Sequence, residues 1–276
     1  MKTYKETFEA LKSKNEGALI VFTVIGDPDN KTSIEAAKSI VDAGADMLEL
    51  GLPFSDPIAD GPTIQAADVR ALKSGMNTDK ALEFVKEIRK YTDIPIGFLA
   101  YYNMVYQRGI TKFYRDSKNA GINSILIADL PMEESGQILI NAKKHRIDTV
   151  FMVSPLTNDE RISKMAGNTT GFIYAVSRLG VTGAKYSNSL EKSTLSLVKR
   201  IRRLTDKPLC VGFGISSPEH VKEVINAGAD GAIVGSAIAD LIAKNISNKG
   251  RMLSDIRNYV KIMKKGSTAS SIISAV

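Results

Sequence analysis

The stretch "DAGADMLELG", residues 42–51, joins the end of a predicted helix to an apolar run. Its design recurs at 119–128, "NAGINSILIA", and at 226–235, "NAGADGAIVG". Each copy places a glycine where a helix can end in the left-handed conformation, and a buried strand follows. The three copies predict one helix–strand unit that is used repeatedly along the chain.

Apolar runs recur on both sides of these copies and number eight in all. They cover 18–25, 46–51, 94–100, 123–128, 148–153, 171–176, 209–215 and 231–235. Nearly continuous apolar runs are typical of strands that are buried on both faces of a parallel sheet. Amphipathic helical patterns separate them. Eight such units in 276 residues predict a (β/α)8 TIM barrel formed as one domain over residues 1–276.

Residues 1–14 predict an extra N-terminal helix that covers the bottom of the barrel. The rival fold is a doubly wound open sheet, which usually has a glycine-rich fingerprint after its first strand. The first run here is followed by "GDPDN", which is typical of a plain turn and a helix start.

The composition is that of an ordinary globular protein, with 43% hydrophobic and 24% charged residues. No signal peptide or membrane span is evident, and the single cysteine, Cys210, cannot form an internal disulfide, so we expect a cytoplasmic protein. The net charge of +7 is compatible with an anionic partner, but no basic run is interleaved with aromatic residues as nucleic-acid binding would require. We expect His145 and His220 on the surface, and with only two histidines a metal site is not expected.

Active sites of such barrels lie at the carboxyl ends of the strands. Glu49 lies near the end of the second apolar run, and Asp60 lies in the following loop among prolines and glycines. Burial can raise the pKa of a carboxyl group until it acts as an acid and a base near neutral pH. The alternatives are a structural glutamate and a turn aspartate; Asp56, in "SDP", fits a turn role best.

Glycine-bearing loops follow the last three apolar runs: "SRLGVTGAK" (177–185), "GFGISS" (212–217) and "GSAIAD" (235–240). Bare backbone amides and a helix N-terminus favour phosphate, and barrels often bind it at this position. The alternative is that the glycines serve only tight turns. Five residues near strand ends line either an apolar pocket or the core: Phe22, Leu99, Tyr101, Leu126 and Tyr174.

One long motif, "LELGLPFSDPIADGPTIQ" (48–65), resembles the signature of the tryptophan synthase alpha chain family. The resemblance continues in order through "FTVIGDPD" (22–29), "ADLPMEES" (128–135), "SRLGVTGAK", "VGFGIS" and "AIVGSAI". It implies a (β/α)8 barrel that cleaves indole-3-glycerol phosphate to indole and glyceraldehyde 3-phosphate by a retro-aldol reaction. No metal or cofactor is implied in this chain.

The resemblance also implies roles for particular residues. Glu49 would protonate indole C3 and take the proton of the glycerol hydroxyl, and Asp60 would pair with the indole N–H. The apolar pocket would hold the indole ring. The phosphate would be held by Gly183, Gly212, Gly214, Gly235 and Ser236, and Arg178 and Thr182 would form a lid that touches Asp60.

The implied partner is a tryptophan synthase beta chain that carries pyridoxal phosphate, in an α2β2 complex through which indole passes. Pro53, Phe54 and Pro57 suit its interface. Met104, in "YYNMV", stands where the family often has proline, which affects the expected interface rather than the chemistry.

Two other functions compete with the lyase. One is a catalytically weak regulatory subunit that binds and activates a beta chain, which the presence of both acids and the glycine loops disfavours. The other is a different phosphate-binding barrel enzyme, such as an isomerase or a Schiff-base aldolase. The aldolase would need a lysine within a strand, and none of the eight runs contains one.

Overall fold

The computed structural model describes residues 1–176, 192–212 and 214–268. The strands are β1 Ala18–Val24, β2 Met47–Gly51, β3 Ile96–Ala100, β4 Ser124–Ile127, β5 Asp148–Thr149, β6 Phe151–Val153, β7 Ile173–Val176, β8 Leu209–Gly212 and β9 Gly231–Val234. The helices are α1 Tyr4–Lys12, α2 Asn30–Asp42, α3 Pro62–Lys73, α4 Thr78–Arg89, α5 Tyr102–Arg108, α6 Ile110–Ala120, α7 Gly136–His145, α8 Asp159–Asn168, α9 Lys192–Leu204, α10 Pro218–Asn226, α11 Ser236–Lys244 and α12 Lys249–Lys265. A short 3₁₀ turn, Met132–Glu134, precedes α7.

The strands form one parallel sheet in the order β5-β4-β3-β2-β1-β9-β8-β7-β6. The predicted strand at 148–153 is divided at Val150, and its two halves pair with different neighbours: β5 with β4, and β6 with β7. Because one stretch of chain pairs with the strands at both edges of the sheet, the sheet closes into a barrel. The (β/α)8 fold predicted from the sequence is therefore confirmed.

The repeated helix ends behave as the sequence predicts. Gly44, Gly121 and Gly228, one in each copy, have φ values of +99°, +103° and +109°. A side chain at these positions would strain the backbone, because this left-handed region is costly for residues with a Cβ atom. The shared glycine thus ends the helix and turns the chain into the next strand.

Helix α1 closes the bottom of the barrel, as expected. A capping box between Thr3 and Glu6 fixes its start, and the hydroxyl of Tyr4 lies 2.8 Å from Oγ of Ser124 on β4. The Tyr4 ring also packs against Phe172, just before β7, at a centroid distance of 5.5 Å. Because both contacts lie at the amino ends of the strands, the opposite, carboxyl end is left as the mouth.

Buried side chains from α1 to α12 form one contiguous hydrophobic cluster, which supports the proposed single domain. One expectation is wrong: His220 is only 2% exposed rather than on the surface. His145 is half-buried, and Cys210 is fully buried within β8. No helix in the described parts of the chain is long and apolar enough to cross a membrane.

Candidate active site

Glu49 lies in the middle of β2, in register with Phe22 on β1 and Gly97 on β3. Its charge acts on Tyr174 and Cys210, which belong to strands across the barrel, so the side chain points into the interior. Glu49 as a whole is 5% exposed, and its Oε2 atom has no hydrogen-bond partner among the described residues. Burial, with a smaller contribution from the charge of Asp60, raises the pKa of Glu49 to about 8.

Asp60 lies in the loop between β2 and α3, where its side chain is also buried. The hydroxyl of Tyr101 donates to Oδ2 of Asp60 at 2.6 Å and accepts the N–H of Ala59 at 3.1 Å. Burial raises the pKa of Asp60, and the hydrogen bond from Tyr101 offsets only part of that rise. Asp60 thus has a donor that stabilises its ionised form, and Glu49 Oε2 has none among the described residues.

Two further contacts hold this loop, and the sequence did not reveal either. The rings of Phe54 and Tyr101 stack at a centroid distance of 5.1 Å. The carboxyl group of Asp68, on α3, accepts the backbone N–H of Phe54, and burial together with the charge of Asp60 raises its pKa to about 8. Tyr101, expected only as a pocket residue, therefore also positions Asp60.

The expected pocket residues come from four strands, because Leu99 and Tyr101 both belong to β3 and its end. Phe22, Tyr101, Leu126 and Tyr174 are buried, and Leu99 is half-buried. Glycines lie close against two of these rings: a Cβ atom at Gly235 would lie 2.9 Å from the Phe22 ring, and one at Gly212 would lie 2.1 Å from the Tyr174 hydroxyl. Glycine at these positions therefore leaves room for the two rings.

The expected phosphate residues fall at the carboxyl ends of the last two strands. Gly212 ends β8, Gly214 follows with φ of +77°, and Gly235 and Ser236 begin α11. No side chain caps the first turn of α11. Its N-terminal dipole and the exposed loop amides therefore suit an anion. Gly183, Arg178 and Thr182 lie outside the described residues.

The residues expected at the partner interface differ in their exposure to solvent. Pro53 is buried inside the chain, whereas Phe54 and Pro57 are half-buried. Beside them Ile58 is 75% exposed, and Met104 on α5 packs partly against the core. Asp56 is exposed and takes part in the turn, where its carbonyl accepts the N–H of Ile58.

The described residues contain no group of three or more His, Cys, Asp or Glu side chains arranged to hold a metal ion. The mouth instead brings together two buried carboxyl groups, an apolar lining and glycine-rich loops. Such a site can transfer protons to an apolar ring while it holds an anionic group.

Comparison with known proteins agrees with this arrangement. The family model of the tryptophan synthase alpha chain matches residues 8–268. A tryptophan synthase alpha chain from Methanoregula boonei is 50% identical over 252 residues, which cover 91% of this chain and 94% of that protein. A solved structure of tryptophan synthase from Mycobacterium tuberculosis is 31% identical with a TM-score of 0.88, and it covers 97% of this chain and 98% of that one. A mutant tryptophan synthase alpha-subunit from Pyrococcus furiosus is 36% identical with a TM-score of 0.82, over 90% of this chain and 98% of that one. The chain belongs to the tryptophan synthase alpha chain family.

Proposed function

We propose that this chain cleaves indole-3-glycerol phosphate to indole and glyceraldehyde 3-phosphate, with Glu49 and Asp60 as its catalytic residues. The observation that carries the proposal is the contrast between these two buried carboxyl groups. Burial raises the pKa of Glu49 to about 8, while Asp60 accepts a 2.6 Å hydrogen bond from Tyr101. A carboxyl group kept neutral by burial, together with a second one whose ionised form is supported by a hydrogen-bond donor, suits proton transfer to a ring.

The proposed reaction begins with Glu49 protonated and Asp60 close to the indole ring. The protonated Glu49 delivers its proton to indole C3, and the positive charge that develops on the ring is stabilised by Asp60 at the indole N–H. The Glu49 carboxylate then takes the proton of the glycerol hydroxyl next to the bond that breaks. As the carbon–carbon bond breaks, its electron pair returns to the ring, the hydroxyl carbon becomes the aldehyde, and Glu49 is protonated again.

The substrate is held at both ends in this proposal. Phe22, Leu99, Leu126 and Tyr174 surround the indole ring, and Tyr101 contributes its own ring while it holds Asp60. Gly212, Gly214, Gly235 and Ser236 bind the phosphate through backbone amides and the N-terminus of α11. Gly183 remains a proposed phosphate residue, and Arg178 and Thr182 remain proposed lid residues, from the sequence alone.

The partner in this proposal is a tryptophan synthase beta chain in an α2β2 complex, to which indole passes. Exposed apolar side chains support an interface near the mouth: Ile58 is 75% exposed, Tyr106 63% and Leu156 76%, and each follows the carboxyl end of a strand. Large exposed apolar side chains at one end of the barrel suit a binding surface. Phe54 and Pro57 lie beside Ile58, whereas Pro53 supports the loop from within.

We further propose that this chain works without an organic cofactor and that pyridoxal phosphate belongs to the beta chain. A cytoplasmic location and a single domain over residues 1–276 remain predictions.

The test is the release of indole from indole-3-glycerol phosphate by the purified chain, alone and with a beta chain. Glu49→Gln and Asp60→Asn should each lower kcat by about 100-fold or more, because each removes a proton-transfer or charge-stabilising group. The matched control is Asp148→Asn, which removes a half-buried carboxyl group at the opposite end of the barrel and should leave kcat unchanged.

If both catalytic variants bind the beta chain but keep the activity of the unaltered chain, the assigned roles are wrong. If the unaltered chain releases no indole in either condition and still activates the beta chain, the regulatory function replaces the lyase.

A further inference from the structure

The segment between β8 and α10 includes the third glycine-rich turn of the mouth and a buried histidine. Gly214 adopts φ of +77°, and Ser217 caps α10 by accepting the N–H of His220 at 3.3 Å. His220 lies in the first turn of α10, yet it is only 2% exposed. Its ring therefore folds back toward the turn that precedes the helix.

The contacts of the ring favour one tautomer. Nδ1 of His220 lies 3.1 Å from the carbonyl oxygen of Gly214, which can only accept, and the backbone N–H of Ser216, which can only donate, points at the same nitrogen at 3.4 Å. The hydroxyl of Ser216 also lies 3.4 Å from Nδ1. The shorter contact to Gly214, and the lack of a partner for Nε2 among the described residues, favour the tautomer in which Nδ1 carries the hydrogen and donates to Gly214. Nε2 has no partner among the described residues, and as an unprotonated acceptor it leaves no buried N–H unpaired.

This bond fixes the orientation of one peptide group. In a planar trans peptide the C=O and N–H point in opposite directions. The Gly214 carbonyl faces His220 on α10, so the N–H of Ile215 points away from that ring. None of the described residues accepts a hydrogen bond from that N–H.

We propose that His220 is a positioning residue for phosphate binding: it holds the Gly214 carbonyl on the helix side, so that the Gly214–Ile215 peptide presents the Ile215 N–H to the phosphate group. This rests on the proposed function, which places the phosphate at this turn. Without the histidine the peptide can rotate, and a rotated peptide would direct the carbonyl oxygen at the phosphate and repel it.

The test uses direct binding, so that it does not depend on catalysis. The affinities of the full chain for sn-glycerol 3-phosphate and for indole are measured by calorimetry. His220→Leu fills similar space without a donor, and it should weaken glycerol 3-phosphate binding about tenfold or more while changing indole binding less than twofold. His220→Asn places an amide N–H near the position of Nδ1 and should restore most of the phosphate affinity.

The control for a general loss of packing is Val224→Ala on the same helix, because Val224 is fully buried and lies one helical turn further from the glycine turn than His220. It should lower the melting temperature but leave both affinities unchanged. If His220→Leu does not fold, His220→Gln takes its place, because its amide lies beyond the Nδ1 position and should show the same selective loss.

Equal weakening of both ligands, or unchanged glycerol 3-phosphate binding in His220→Leu, would overturn the inference. The two proposals fail separately. A chain that cleaves indole-3-glycerol phosphate but shows no selective effect at His220 keeps its function and refutes the positioning role. A chain that shows the selective effect but no cleavage keeps the positioning role and loses the lyase.

Discussion

Replacing Tyr101 by phenylalanine tests the pairing that sets the state of Asp60. The change removes the hydroxyl that donates to Oδ2 of Asp60 at 2.6 Å and accepts the Ala59 N–H at 3.1 Å. The ring that stacks on Phe54 is kept. A hydrogen bond to a charged group contributes about 1.5–3 kcal/mol, which corresponds to a factor of about 10–100 in rate if it is fully used in the transition state.

The hydrogen bond from Tyr101 also predicts how the activity of Tyr101→Phe depends on pH. The Tyr101 hydrogen bond lowers the pKa of Asp60, so its removal raises that pKa and leaves less of the ionised form at a given pH. Tyr101→Phe should therefore lower kcat/KM by about 10–100-fold near neutral pH. The acidic limb of its pH–rate profile should move to higher pH, and the loss should shrink as the pH rises.

The assay is indole release measured across the pH range, with Tyr114→Phe as the matched control. The Tyr114 hydroxyl is also buried but has no partner among the described residues, so its removal should cost neither activity nor stability. A Tyr101→Phe profile that superimposes on that of the unaltered chain would refute the pairing. An equal loss in both variants would show that the effect is one of packing alone.

Three further changes give distinct expected results. Burial raises the pKa of Glu49 from 4.5 to about 8, so the ionisation of Glu49 destabilises the folded state as the pH rises between these values. In urea unfolding, Glu49→Gln should be more stable than the unaltered chain, by a margin that grows to the order of a few kcal/mol near pH 8 and then stays level. A difference in stability that does not change with pH would contradict this. Asp27 is 1% exposed, and Nε of Arg70 lies 2.6 Å from its carboxylate. Arg70→Ala leaves this buried carboxyl group without its partner, so the free energy of unfolding should fall by about 3–5 kcal/mol. A loss of less than about 1 kcal/mol would contradict the importance of the ion pair. Gly97→Ala would place a Cβ atom 2.5 Å from Oγ of Ser124, so thermal unfolding should show a loss of about 1–3 kcal/mol. An unchanged stability would contradict this close contact.

The sequence was sufficient to predict elements whose signal is local. The three Ala-Gly helix ends and all eight apolar runs appear as expected, because a left-handed cap and a buried strand each depend on neighbouring residues. Their boundaries were less accurate. The run at 94–100 gives a strand that begins only at Ile96, since Pro95 has no N–H to donate to a sheet. The run at 209–215 ends as a strand at Gly212, before Gly214 turns with positive φ.

Contacts between distant segments could not be predicted in the same way. Asp60 and Tyr101 are 41 positions apart, and nothing local to either residue shows that the hydroxyl faces the loop. His220 looked like a surface residue because it begins an outer helix, and its burial depends on the path of the preceding turn. Asp68 gave no signal, since an aspartate on a polar-looking helix is ordinary until the loop that covers it is known.

The different states of the two catalytic acids follow from the type of element that carries each one. Glu49 lies within a strand, where neighbouring backbone N–H groups are engaged in the parallel ladder and cannot turn toward a carboxylate in the barrel interior. Its neutral form is therefore favoured by burial first and by the charge of Asp60 second. Asp60 lies in a loop, whose path lets it meet a hydroxyl from the end of the next strand. Burial, the larger cause of the raised Glu49 pKa, acts at a position inside the barrel, whereas the smaller cause is the charge of a loop residue, so replacing Asp60 by asparagine should lower the pKa of Glu49 by only part of its shift.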